Sequence, residues 1–226
     1  EEGSAASFAA YSSWRSTLSA VMSLSVPNAL RMVLIYSNEV VNMLMLTRAT
    51  SDPAVVAAIG PGAMMQNVFG ISIAIGLLSA LDTFVSQAYG AGDHKKTAVM
   101  LQRGSLIVTC QLVWIVPLLF CSTEILLAVG QDEQVAKNAG QYNRASLLGM
   151  PAYFWQEALK SFLANRSVVL APMVVTIVTS ILHVFWCAHF VLGCQLGIWG
   201  IGLANAVTWN LGFVLLSAYL MITAGR

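Results

Sequence analysis

Glu39 is the residue of this 226-residue chain whose type and setting point most directly to chemistry. It stands in a continuous apolar stretch, twelve residues after Pro27, or about 18 Å along a helix rising ~1.5 Å per residue. If the stretch crosses a membrane, that spacing sets the carboxyl near the midplane. An ionisable group at such depth costs at least about 2.5–3.5 kcal/mol on insertion scales, so it is a functional candidate by default. A carboxyl held away from water there can load and release a proton, which is the chemistry of an ion-coupled antiporter. The plainer alternative is a neutral core residue bonded to Asn38, Asn42 or Arg31. His183 and Asn205 lie in two later apolar stretches. A histidine titrates near neutrality, yet either residue could serve only as an interhelix hydrogen bond that fixes packing. Gln66 and Asn67 carry the same two readings.

The elements that must position these groups follow from composition. With 58% hydrophobic and 9% charged residues and a mean hydropathy of +0.74, the chain has far fewer charges than the roughly 25% of a soluble domain. Its apolar surface therefore faces lipid. The formal net charge of +1 excludes a dedicated nucleic-acid binder, which would carry a basic stripe, and the apolar content excludes intrinsic disorder. The fold class is all-α, a polytopic transmembrane bundle. Cutting the chain into stretches of about 20 apolar residues predicts six helices at approximately 24–47, 55–81, 104–128, 139–163, 168–193 and 196–223, after a cytoplasmic tail over 1–20. The domain is then 21–226. The fourth stretch is the least apolar, holding Tyr142, Asn143, Arg144, Gln156, Glu157 and Lys160, and its polar face is expected to point inward. Ser51-Asp52-Pro53 offers a cap and a first-turn proline for the second. Pro27, Pro61 and Pro151 are bend candidates.

Counting Lys and Arg by side gives Arg15, Lys95, Lys96, Arg103, Lys160, Arg166 and Arg226 on one face against Arg48, Lys137 and Arg144 on the other. The excess of basic residues predicts that both termini are cytoplasmic. Cys110, Cys121, Cys187 and Cys194 have no ligand spacing and read as packing residues, with a Cys121–Cys194 disulfide as a minor alternative. No phosphate-binding loop, HExxH or nucleophile elbow occurs in the sequence, which makes transport the leading class and an enzyme the unexpected one.

The run from Gly76 to Gly92, GLLSALDTFVSQAYGAG, resembles the signature that ends the second helix of the multidrug and toxic compound extrusion (MATE) transporters. Val26-Pro27, Leu101-Gln102-Arg103-Gly104-Ser105, Gly130-Gln131-Asp132, Lys160-Ser161-Phe162-Leu163 and the Gly197–Ala204 run follow in the family's order. The resemblance, strongest to eukaryotic, plant-type members, implies a twelve-helix antiporter of two six-helix lobes with substrate bound between them. This chain matches the first lobe. We expect a fragment of a longer protein, since it lacks an initiator methionine and ends where the interlobe loop would begin; the alternative is a half-transporter that dimerises.

Further implications follow from the resemblance. In bacterial members that carry a coupling carboxylate on the first helix, the matching position is Asn42, which cannot titrate; Glu39 lies one turn earlier on roughly the same face. His183 and Asn205 fall where those members keep a polar cluster. In plant-type members the coupling acids belong to the second lobe. Asp82, Thr83, Gln87 and Gly90, with Gln102 and Arg103, match family motifs at the cytoplasmic end and are read as caps and loop anchors, with Gly90 and Gly92 supplying positive-φ turns. The expected function is export of organic cations, xenobiotics or secondary metabolites in exchange for protons or sodium, without another cofactor. Pro27 is expected to let the first helix bend as Glu39, aided by Asn42, His183 and Asn205, titrates. The expected partners are a small organic substrate, the bilayer and the second lobe, with no nucleic acid. The membrane is the plasma or the vacuolar one. The rivals are a non-transporting or dimerising half and a polytopic membrane enzyme using His183 and Glu39 as acid and base.

Overall fold

A computed structural model describes residues 14–224, so the first thirteen positions of the expected tail, and Arg226, lie outside the described residues. Helix α1 spans Trp14–Ala49, starting well before position 24, because no Gly or Pro interrupts the chain between Trp14 and Pro27. Helix α2 spans Pro53–Gly90. Asp52 caps it by accepting from the Ala54 amide at 2.9 Å, and Pro53, which has no N–H to leave unpaired, occupies the first position. A turn at Ala58 interrupts its first segment, where Pro61 has no N–H to offer the carbonyl of Ala57. The helix continues past the expected end at 81 through the polar Asp82–Gly90 turns. It stops where Gly92 takes the left-handed φ of +73°. Gly90 itself is the last helical residue and not a positive-φ turn, which corrects the expectation for that position.

Asp93 then caps α3, His94–Phe120, by accepting from the Lys96 amide at 2.9 Å. The expected 104–128 span is thus shifted and divided, with α4 a separate helix over Ser122–Ala128. At the break, side chains take over the carbonyls: Ser122 Oγ donates to Leu119 O at 2.8 Å and Arg144 Nε to Phe120 O at 3.0 Å. The expected fourth span is likewise two helices, α5 over Glu133–Ser146 and α6 over Met150–Asn165. Pro151 has no N–H for the Leu147 carbonyl, which accepts from the Met150 amide at 3.3 Å instead, a tighter turn that ends one helix and begins the next. Helix α7 spans Leu170–Gly193 and α8 Gly197–Ala224. Helices α1, α2, α3, α7 and α8 are each long and apolar enough to cross a membrane. There are no strands among the described residues, and all four cysteines are free.

Helix α8 is the spine, packed against α7, α5 and α6, while α2 packs on α3 and α6. Helix α1 lies at the edge, mainly against α7, and buries only Pro27, Asn42 and Leu46. Helices in lipid gain little from the hydrophobic effect and associate through close backbone approach at small residues. Two glycines carry this here. A Cβ on Gly202 of α8 would stand 2.5 Å from the Ala145 Cβ of α5, and one on Gly149 would stand 2.5 Å from the Ala206 Cα of α8. At the cytoplasmic end as predicted from charge, Asp82 Oδ1 accepts from Ser161 Oγ and from Asn165 Nδ2 (2.6 Å), tying α2 to α6. Asp82 is therefore an interhelix anchor and not a cap.

Three outcomes are expected from thermal unfolding of the detergent-solubilised protein. Gly202→Val and Gly149→Val each lower stability by about 1–3 kcal/mol, the cost of overpacking. Gly76→Ala, a helical position with no neighbour within 4 Å of an added Cβ, raises it by roughly 0.5–1 kcal/mol. Asp82→Ala strands two donors and lowers the unfolding temperature, while Asp82→Asn, which keeps the accepting oxygen, retains most of it.

Candidate functional site

Asn42 is the centre of a buried polar cluster. It is fully buried, and its amide meets partners on both sides. Nδ2 donates to Asn205 Oδ1 of α8 at 3.3 Å and to Glu39 Oε2 at 3.5 Å. Oδ1 lies 2.9 Å from His183 Nε2 of α7 and accepts from Cys187 Sγ at 3.4 Å. Asn205 Nδ2 in turn donates to the Tyr142 hydroxyl of α5 at 3.0 Å. Next to Tyr142 on α5, Asn143 Oδ1 accepts from Gln66 Nε2 of α2 at 2.9 Å. Side-chain hydrogen bonds thus link α1, α7, α8 and α5 through the cluster, and a neighbouring one joins α2 to α5.

The local sequence explains the meeting. Residues three or four apart share a helix face, so Glu39 and Asn42 lie on one side of α1, and His183 and Cys187 on one side of α7. Asn205 and Thr208 do the same on α8. Because Asn42 Nδ2 is engaged by Asn205 and Glu39, its oxygen is left for the ring, and His183 Nε2 carries a proton and donates. The other ring nitrogen, Nδ1, faces Thr208 Oγ1 at 2.8 Å, and that hydroxyl is also 2.7 Å from the Ala204 carbonyl. With a neutral ring, Thr208 donates to Nδ1. With a charged ring, Nδ1–H donates to the Thr208 oxygen and the hydroxyl proton turns to Ala204. One hydroxyl rotation therefore satisfies both protonation states, and His183 can gain or lose a proton without stranding a buried polar group.

The predicted residues divide into two groups. Asn42, His183 and Asn205 are brought together, with Glu39 at the rim: its residue is exposed and touches the cluster only through the Asn42 contact. Arg31 forms no ion pair with it among the described residues. Pro27 is buried inside an unbroken α1. Thr83 Oγ1 donates to Ser79 O at 3.5 Å, the Gln87 carbonyl accepts from the Ala91 amide at 3.0 Å, and Gln102 and Arg103 face outward on α3. These lie away from the cluster. Tyr142 of the cluster was expected on the inward polar face of the fourth span, whereas Thr208 and Cys187, which also belong to it, were not singled out as site residues. Their signal was their spacing: Cys187 is four residues from His183, and Thr208 three from Asn205.

Beside the cluster is a small cavity of about 70 Å³ between α1, α6, α7 and α8. His183, Asn205 and Thr208 line one end, and Glu157 and Lys160 of α6 also face it. Lys160 Nζ donates to Glu157 Oε1 at 2.8 Å, a pair whose side chains are only 8% and 20% exposed.

The chain is similar to known proteins along most of its length. The MatE family model matches residues 27–188. Protein DETOXIFICATION 17 of Arabidopsis thaliana is 32% identical over 199 residues, covering 87% of this chain and 41% of that protein. Multidrug and toxin extrusion protein 1 of Oryctolagus cuniculus is 35% identical over 158 residues, covering 69% of this chain and 27% of that protein. The fold matches the crystal structure of the eukaryotic MATE transporter AtDTX14 with a TM-score of 0.81 at 24% identity, over 90% of this chain and 46% of that one. The chain thus spans less than half the length of these relatives. A multi-pass helical bundle whose landmarks and fold agree over this range leaves one assignment: the chain belongs to the MatE family of membrane proteins.

Proposed function

We propose that this chain is one lobe of an antiporter that exports organic cations, xenobiotics or secondary metabolites in exchange for protons, with sodium as the alternative ion. The observation that carries the reading is the convergence of Asn42, His183 and Asn205 from three helices around one histidine that can be hydrogen-bonded in both protonation states. The relatives named as multidrug and toxin extrusion proteins support a transport role over an enzymatic one. Substrate would bind where this lobe faces a second one, and the exposure of Glu39 on α1 supports a part for it in that contact. The excess of Lys and Arg at one end supports cytoplasmic termini.

The function is tested in sealed membrane vesicles carrying the protein, by following uptake of the fluorescent cation ethidium under an imposed pH or sodium gradient. A pH gradient is expected to drive uptake at least tenfold above that of empty vesicles. His183→Phe is expected to abolish the proton-driven part, and Glu39→Gln to reduce it severalfold. Uptake unchanged in both variants would falsify the coupling assignment, and uptake driven by sodium alone would replace the proton with the alternative ion. A stability measurement accompanies it: Asn42→Leu leaves the partners on α7 and α8 unpaired, with an expected loss of about 1–3 kcal/mol, read as an earlier thermal transition.

A further inference from the structure

The small cavity contains more polar groups than packing requires. Along α7, Thr176, Thr179 and His183 recur at helical spacing and face it as a single row about 10 Å long, seven residues at ~1.5 Å each. Thr176 Oγ1 donates to Pro172 O at 2.9 Å and Thr179 Oγ1 to Val175 O at 2.9 Å, so each hydroxyl proton is spent on the helix and its oxygen is free to accept. The adjacent Ser180 Oγ is buried with no partner. The ion pair of Glu157 and Lys160 of α6 lines the same cavity, as do His183 and Thr208. A cavity of about 70 Å³ exceeds the ~10–15 Å³ that one water needs. It is far below the 300–1,000 Å³ of an organic-ligand pocket. Its size and its row of acceptors suit a short file of water.

We propose that this cavity is a water-filled proton passage, in which the Glu157–Lys160 pair holds the first water of the file and the Thr176, Thr179 and Thr208 hydroxyls line the route of protons to His183. The inference rests on the coupling role given to His183 above. The pair has a reason to be there: a charge at this depth is costly, and opposite charges three residues apart hold each other while the remaining carboxylate oxygen and ammonium protons can hydrogen-bond to water. The last step balances. A hydronium at the end of the file passes a proton to the Thr208 oxygen as the Thr208 proton moves to His183 Nδ1. Water and a neutral hydroxyl remain, and the positive charge rests on the imidazolium, whose Nε2–H is already held by Asn42. The titratable groups lining the passage are Tyr153, Glu157 and Lys160 from α6 and His183 from α7; Arg31 and Tyr36 of α1 are near Tyr153, Glu39 of α1 and Cys187 of α7 contact Asn42, Tyr142 of α5 contacts Asn205, and α8 contributes only neutral groups.

Radiolytic hydroxyl-radical footprinting of the full protein in lipid nanodiscs tests the water directly, because radicals form where water is and mark the side chains beside it. Tyr153 and Trp209, which line the cavity in edge-to-face contact with ring centroids 5.1 Å apart, are expected to be modified at least fivefold faster than the outward Trp114 and Phe120 of α3. Thr179→Val is expected to lower their rates at least threefold, and Thr179→Ser to restore them. Rates no higher than those of Trp114 and Phe120 mean a dry cavity and overturn the passage. Proton delivery is read by the imidazole infrared band of His183 after a pH jump. Because removing one partner strands the other charge, Glu157 and Lys160 are replaced together by Gln. The expected result is His183 protonation slowed at least tenfold with its equilibrium titration unchanged; an unchanged rate overturns the entry point. If the double variant fails to fold, the Thr179→Val protein is read in the same pH jump under the same criteria. A dry cavity beside a titrating His183 overturns the passage alone, whereas a His183 that never titrates overturns the coupling reading along with the passage's destination.

Discussion

The structure depends on one amide. Helix α1 has little else to hold it, since only Pro27, Asn42 and Leu46 along its length are buried. Of these, Asn42 alone makes directional bonds, to α7 through His183 and Cys187 and to α8 through Asn205. A buried amide has two donors and a two-site acceptor, and all are used. A change in the state of any partner is therefore felt by the helix that carries Asn42. In a bilayer, where helices gain nothing from hiding apolar surface from one another, such a bond network sets how α1 sits as well as adding to its stability.

This arrangement also separates two roles that sequence reasoning had placed on Glu39. The carboxyl is at the rim, exposed beyond the cluster and bonded to it by a single 3.5 Å contact. The group with buried partners on both sides is the imidazole of His183, held between an amide oxygen and a hydroxyl that can give or receive a proton. A rim carboxylate suits contact with a substrate or a second lobe, and a caged imidazole suits storage of a proton. At the position where the resemblance to bacterial members implies a carboxylate, this chain has a neutral hub, Asn42, in contact with Glu39 and His183.

Much of the fold was legible because its signals are local. Apolar length marked each crossing, Asp52, Asp93 and Asp132 mark helix starts by capping, and Gly92 marks a stop through its left-handed φ. The sharpest departures from the simple spans occur where a non-local bond competes with the helix ladder. Arg144, from a different helix, takes the Phe120 carbonyl, and Gln111 Nε2 donates to Gly70 O at 2.8 Å beside the wide π turn at Asn67–Ile71. A window of sequence contains neither partner. Pro151 was visible as a bend candidate; that it divides the fourth span into two helices also required Gly149 to press against Ala206.

The sequence by itself determined that this chain is a multi-pass membrane protein and which of its stretches are apolar enough to cross. These are properties of a residue within its own helix, set by the cost of burying its charge or amide. Only the tertiary structure decided which polar residues meet. Asn42 and Asn205 are 163 residues apart and Asn42 and His183 are 141 apart. Their pairing depends on how each helix is rotated about its axis, and that rotation is settled by close packing at Gly149 and Gly202 and by the bonds themselves.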